Sequence, residues 1–273
     1  MRKGQIKKYL IFMRSGYQTV LAYRGAILLW FIGAMISAVL MGLVWWAIYS
    51  FSPQSEIAGY VFPQMLMYVI LSAMVSEAIY TDTMGQINED VKWGLIGMRL
   101  MKPINYRMQL GFAAMGSFLA RIIIIGVPVL TVGTIVVVFG FGLTGIMWYN
   151  ILMFLPACVL SAIMFDTFAF LFGQLAFRTQ AMFGVASMSQ IVMSFLSGGI
   201  VPIALFPEWA QTVLTYTPFP TLISLPVRIF LGQVGWMEML IGFAISVAWI
   251  VVLNVLAHLA YKSSVKHVVV FGG

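Results

Sequence analysis

Two ionisable side chains stand deep inside otherwise apolar runs, Arg121 and Asp166, and a third, Glu77, lies near the end of another. At mid-bilayer a charge costs about 2.5–3.5 kcal/mol on insertion scales, so each of these groups needs a partner. Counted at 1.5 Å per residue from the ends of their runs, Arg121 and Asp166 sit at a similar depth, about 15 Å above the inner boundary. Adjacent antiparallel helices would pair them, as a structural salt bridge; a substrate or proton site is the lesser reading. Other chemistry lacks its parts. There is no Gly-x-x-x-x-Gly-Lys-Ser/Thr phosphate loop, so the chain does not bind ATP in that way. The two histidines, His258 and His267, lie at the end of the last apolar run and beyond it. No His/Cys/carboxylate cluster has metal-ligand spacing, and no Ser, His and acid share a depth. The single Cys158 excludes an internal disulfide, and the 20 methionines are scattered as gap fillers rather than clustered as soft ligands. The expectation is a non-enzyme with no metal and no cofactor of its own.

What must position these charges follows from composition. Of 273 residues, 62% are hydrophobic and 8% charged, against roughly 25% charged in an ordinary globular domain. Too little charge is available to cover a soluble surface, so the solvent is a bilayer. The net charge of +7 sits at the edges of apolar runs, which argues for membrane orientation and against nucleic acid.

About 20 apolar residues cross the hydrocarbon core as a helix. Six runs qualify: Ala26 to Ser50, Val61 to Tyr80, about Gly111 to Phe139, about Met147 to Phe172, Met182 to Val201 and Glu238 to Tyr261. The first is too long for a signal-peptide core and should remain in place. Basic residues gather before the first run (Arg2, Lys3, Lys7, Lys8, Arg14, Arg24) and between the second and third (Lys92, Arg99, Lys102, Arg107). Arg178 follows the fourth, and Lys262 and Lys266 follow the sixth. The opposite loops hold only Arg228. Both termini are therefore expected in the cytoplasm.

Three connecting segments carry more than topology. Residues 1–24 repeat Ile6, Tyr9, Leu10, Met13, Tyr17, Val20 and Leu21 at helical spacing beside Lys7, Lys8 and Arg14, which predicts a basic interfacial helix. Residues 81–107 form the longest polar stretch. There Asn88, Glu89 and Asp90 suit a helix start, Val91, Leu95, Met98 and Met101 form an apolar stripe, and Lys102-Pro103 ends it. Such a helix, with Arg99 and Lys102 beside its stripe, is a candidate to dock another protein or to rest on the membrane surface. Residues 198–237 hold two apolar pieces too short to span, broken by Gly198, Gly199, Pro202, Pro207, Pro218, Pro220 and Pro226. They read as extracellular re-entrant or interfacial helices, which need protein or a cavity around their broken backbone.

These features together resemble the membrane subunits of type-2 ABC exporters over nearly the whole chain. Ile87–Asn105, INEDVKWGLIGMRLMKPIN, is similar to the cytoplasmic helix of the viologen-exporter-like bacterial permeases. The order in Ser197–Gly232, SGGIVPIALFPEWAQ running into TPFPTLISLPVRIFLG, is the more specific match. The resemblance implies one transmembrane domain over residues 1–273 in a bacterial cytoplasmic membrane. It also implies a coupling helix seated on a separate ATP-binding subunit dimer that holds Mg-ATP. A second permease would complete the path, a related partner being favoured over a homodimer.

Two other classes compete. A secondary transporter would show an internal repeat and paired broken helices, and only one broken region is present. A non-transporting assembly or immunity subunit would need no ATPase. The fold expected is all-α and integral to the membrane, with six transmembrane helices.

Overall fold

The computed structural model describes residues 3–101, 103–143, 145–179 and 182–264. The N-terminal segment is helix α1 (Lys3–Ala22), and after a break at Tyr23 the first uncharged run becomes α2 (Arg24–Phe51). A two-stranded hairpin follows, β1 (Glu56–Ile57) against β2 (Tyr60–Val61), turned by Ala58 and Gly59 with positive φ. Pro63, whose missing N–H costs nothing in a first turn, opens α3 (Phe62–Ile79). The long polar stretch folds as α4 (Thr83–Lys92) and α5 (Leu95–Leu100). The third run is α6 (Tyr106–Arg121), a π turn at Ile122–Gly126, α7 (Val127–Ile135) and a second π turn at Val136–Gly140. Then come α8 (Trp148–Gly173), α9 (Met182–Leu196), α10 (Glu208–Thr215), α11 (Ser224–Phe230) and α12 (Trp236–Ser264).

Among the described residues, five helical stretches are long and apolar enough to cross a membrane: Arg24–Phe51, Phe62–Lys92, Tyr106–Gly140, Trp148–Phe177 and Trp236–Ser264. The fifth predicted span differs. Met182–Val201 becomes the 15-residue α9, about 22 Å long against a hydrocarbon core of about 30 Å. Gly198, at φ +80°, turns the chain where the run was expected to continue.

α3 and α8 form the buried pair, and α2 leaves most of its surface on the outside. Tyr68, Leu71 and Met74 of α3, Phe154 and Met164 of α8, and Val227 and Phe230 of α11 share one apolar core. Phe154 and Phe230 meet edge to face, with ring centroids 5.4 Å apart.

The apolar stripe of α1 turns onto α6. Tyr9, Gly16 and Val20 are buried, while Leu10 and Leu21 stay outside. Two glycines make this contact backbone to backbone. A Cβ at Gly16 would lie 2.0 Å from the Ala113 carbonyl oxygen, and one at Gly116 would lie 1.9 Å from that of Met13. The helix predicted as interfacial is thus also a packed part of the bundle.

Candidate functional site: a polar segment tied into the bundle

α4 is anchored by its own sequence. Met84 and Ile87 point into a cluster with Phe170, Ala176 and Tyr106. Ile87 seats over Gly173, where an added Cβ would lie 2.6 Å from its Cδ1. The helix begins at Thr83, earlier than the Asn88–Asp90 start read from the sequence, and those three residues lie inside it. Gly94, at φ +67°, stops it: the Gly94 N–H donates to the Val91 carbonyl, the left-handed helix end that glycine favours.

That break divides the predicted stripe. Val91 is half-buried against the bundle, whereas Leu95, Met98 (55% exposed) and Met101 (78%) face outward on and beside α5. Trp93, 68% exposed between the helices, joins them and was missed. A tryptophan in the one long polar stretch was the available signal. Pro103 is exposed, and Lys102 lies outside the described residues. Arg99 is not a free flank, because its Nε lies 2.6 Å from Asp90 Oδ2. Asp90, 2% exposed, also accepts from the Tyr106 hydroxyl at 2.7 Å. One buried carboxylate therefore joins α4, α5 and α6.

A second carboxylate ties the same segment to the spans. Asp166 of α8 accepts from Arg107 Nη1 and from Thr83 Oγ1. Arg107 Nη2 donates to Thr167 at 3.0 Å, and Asn254 of α12 reaches the same hydroxyl at 3.3 Å. The guanidinium also lies over the Phe170 ring, 4.8 Å from its centroid.

The expected Arg121–Asp166 pair does not form. Arg121 Nη1 instead donates to the Glu77 carbonyl at 3.1 Å and lies 3.9 Å from Glu77 Oε2, with Tyr80 beneath it. The reason is helix length. The third run is helical from Tyr106 to Gly140 over 35 residues, about 52 Å, so it overhangs the hydrocarbon core by several turns. Depth counted from Gly111 therefore put the wrong arginine level with Asp166. Gly111 makes room for the actual pair: a Cβ there would lie 3.6 Å from Asp166 Oδ2.

The broken region before α12 is likewise buried among protein groups. The Tyr68 hydroxyl donates to the Gly198 carbonyl at 2.7 Å, Ser161 to the Thr221 carbonyl at 2.8 Å, and the Ser224 N–H to the Ser197 carbonyl at 3.0 Å. Phe219 stacks on Phe168, well down α8, at 5.7 Å. Pro207 precedes α10, Pro218 precedes the short turn Phe219–Thr221 that contains Pro220, and Pro226 falls in the first turn of α11. Pro202 starts the turn Ile203–Leu205, and Gly199 is held close to Ile223.

Residues 35–270 match the family described as ABC-2 family transporter protein. The chain belongs to that family. No curated protein matches it. The match covers every candidate span except the start of α2, along with the α4–α5 segment and the broken region. The two carboxylates link α4 and α5 to α6 and α8, and Asn254 adds α12 through Thr167. Among the described residues no group of three or more His, Cys, Asp or Glu stands together to hold a metal ion.

Proposed function

We propose that this membrane component of an ABC transporter is the permease subunit of an ATP-driven exporter in a bacterial cytoplasmic membrane. In this reading α5 and its flanks seat in a groove of a separate ATP-binding subunit. The outward patch of Trp93, Leu95, Met98 and Met101 carries the reading. It is apolar, it lies on the side where basic residues gather, and the segment that presents it is rigidly tied to the spans by Asp90 and Asp166. ATP-driven closure of a partner dimer would push this segment. The push would reach α8 and α12 through Arg107, Asp166 and Thr167 as a rigid-body movement. The ATP and magnesium belong to that partner.

Both termini are assigned to the cytoplasm, with α9 and the backbone after it as the fifth of six crossings and α10–α11 as a re-entrant pair. The pairing of the Ser197–Ser224 backbone with Tyr68 and Ser161, both inside spans, supports this. A second permease, related or identical, completes the path. The resemblance of Ser197–Gly232 to viologen-exporter-like permeases supports a heteromeric partner.

The test is co-expression with the ATP-binding subunit. Leu95→Asp with Met98→Asp buries two unpaired charges at the interface, so the chain should insert normally and lose its ATPase on purification. Retention of a fully stimulated ATPase would remove the basis of the reading.

A further inference from the structure

A cavity of about 260 Å³ opens between α3, α8 and α9, beside the broken backbone after α9. Its polar wall is made by Ser76, Tyr80, Gln190, Ser194 and Ser197, and its apolar wall includes Phe165 and Leu222. Ser187, Gln190 and Ser194 recur at spacings of three and four, so they share one face of α9, and Ser197 follows just past its end. Gln190 is the ninth of fifteen residues in that helix, inside the crossing assigned above. Within such a crossing lipid offers no hydrogen bond, and a polar side chain needs protein, water or a ligand.

Protein does not supply one. Among the described residues the Gln190 amide, the Tyr80 hydroxyl and the Ser194 hydroxyl make no hydrogen bond, and Ser76 donates to the Ser72 carbonyl while keeping its acceptor capacity. The wall therefore offers an amide that both donates and accepts, and four hydroxyls, of which Ser76 and Ser197 already donate to backbone carbonyls. It offers no carboxylate. Two acids adjoin lining residues in sequence: Glu77 is engaged by Arg121, whose guanidinium lies 5.3 Å from the Tyr80 ring, and Asp166 is engaged by Arg107. A cation entering here would meet no counter-charge and an arginine behind the tyrosine.

We infer that this cavity binds an uncharged amphipathic molecule, with a hydroxyl- or amide-bearing headgroup against Gln190, Tyr80 and Ser194 and an apolar portion against Phe165 and Leu222. The inference rests on the permease reading, since it names the class of molecule that such a path would take.

The test uses the full chain in lipid nanodiscs with two probes of equal tail, decyl glucoside and decyltrimethylammonium, below their micellar concentrations and at matched membrane loading. Cys158 is fully buried, so Gln190→Cys or Ser194→Cys introduces a single reactive thiol. Decyl glucoside should slow maleimide labelling at both positions several-fold, and decyltrimethylammonium should leave the rate unchanged. With the ATP-binding subunit present, Gln190→Leu should abolish glucoside stimulation of hydrolysis while the subunit still copurifies. Equal protection by both probes, or none, overturns the inference. So does copy-to-copy cross-linking at Gln190→Cys without glucoside protection, which would make this face a dimer contact. Labelling needs the chain alone, so loss of ATPase copurification would sink the permease reading without deciding this result.

Discussion

Replacing Asp166 by Asn tests whether the buried carboxylate answers to Arg107 and not to Arg121. Asp166 is 4% exposed and accepts from both Arg107 and Thr83. Breaking a buried ion pair from one side costs about 3–5 kcal/mol, and a hydrogen bond to a charged group is worth about 1.5–3 kcal/mol. Asn keeps one acceptor but turns an N–H₂ toward the guanidinium or the threonine. Arg107 is 21% exposed, so water recovers part of its solvation once the carboxylate is gone. The loss should be about 2–4 kcal/mol, read as denaturant unfolding of the purified chain in micelles. A double-mutant cycle then separates the arginines. Arg107→Gln with Asp166→Asn should show a coupling of at least about 1 kcal/mol, whereas Arg121→Gln with Asp166→Asn should be additive within about 0.5 kcal/mol. Additivity with Arg107, or strong coupling with Arg121, would refute the geometry.

Gly116→Leu should destabilise by about 3 kcal/mol or more and detach α1. A Cβ alone would lie 1.9 Å from a backbone oxygen, which cannot yield as a side chain can; protease protection of residues 3–22 reads the detachment. A cysteine at Gln54, beside the hairpin, should react with an impermeant maleimide in intact cells, while one at Gln86 on α4 should react only after lysis. The reverse pattern would invert the topology. Thr83→Ala removes one of the two donors to Asp166 and should cost about 1.5–3 kcal/mol, with ATPase copurification retained; a loss of the partner there would mean that Thr83 lies at the interface.

Membrane class and five of the six span positions were legible because charge is excluded from hydrocarbon whatever the tertiary packing. The outward apolar residues of α5 were legible for a related reason: their stripe stands in the one long polar stretch. Its break was visible as Gly94, yet a glycine inside a helical pattern is often tolerated, and only the fold requires positive φ there. The partner of Asp166 was not legible. Depth counting assumes that helices end at the membrane boundary, and the third run overhangs it from Tyr106. Periodicity also gave α1 an apolar face without naming what covers it, and Gly16 and Gly116 reveal their purpose only when α6 lies against them. The polar face of α9 was present at helical spacing but diluted by an apolar run, so hydropathy alone reads it as an ordinary span.

In the proposed assembly the outward face of α5 touches an ATP-binding subunit. A photo-activated cross-linker at Met98 measures this directly in native membranes containing both subunits, with Gln86 as the control position. Met98 should form a single adduct of the combined mass of the two subunits, with a yield that changes when ATP is added, and Gln86 should form none. Adducts at Met98 with lipid alone, or equal adducts at both positions, would contradict the account.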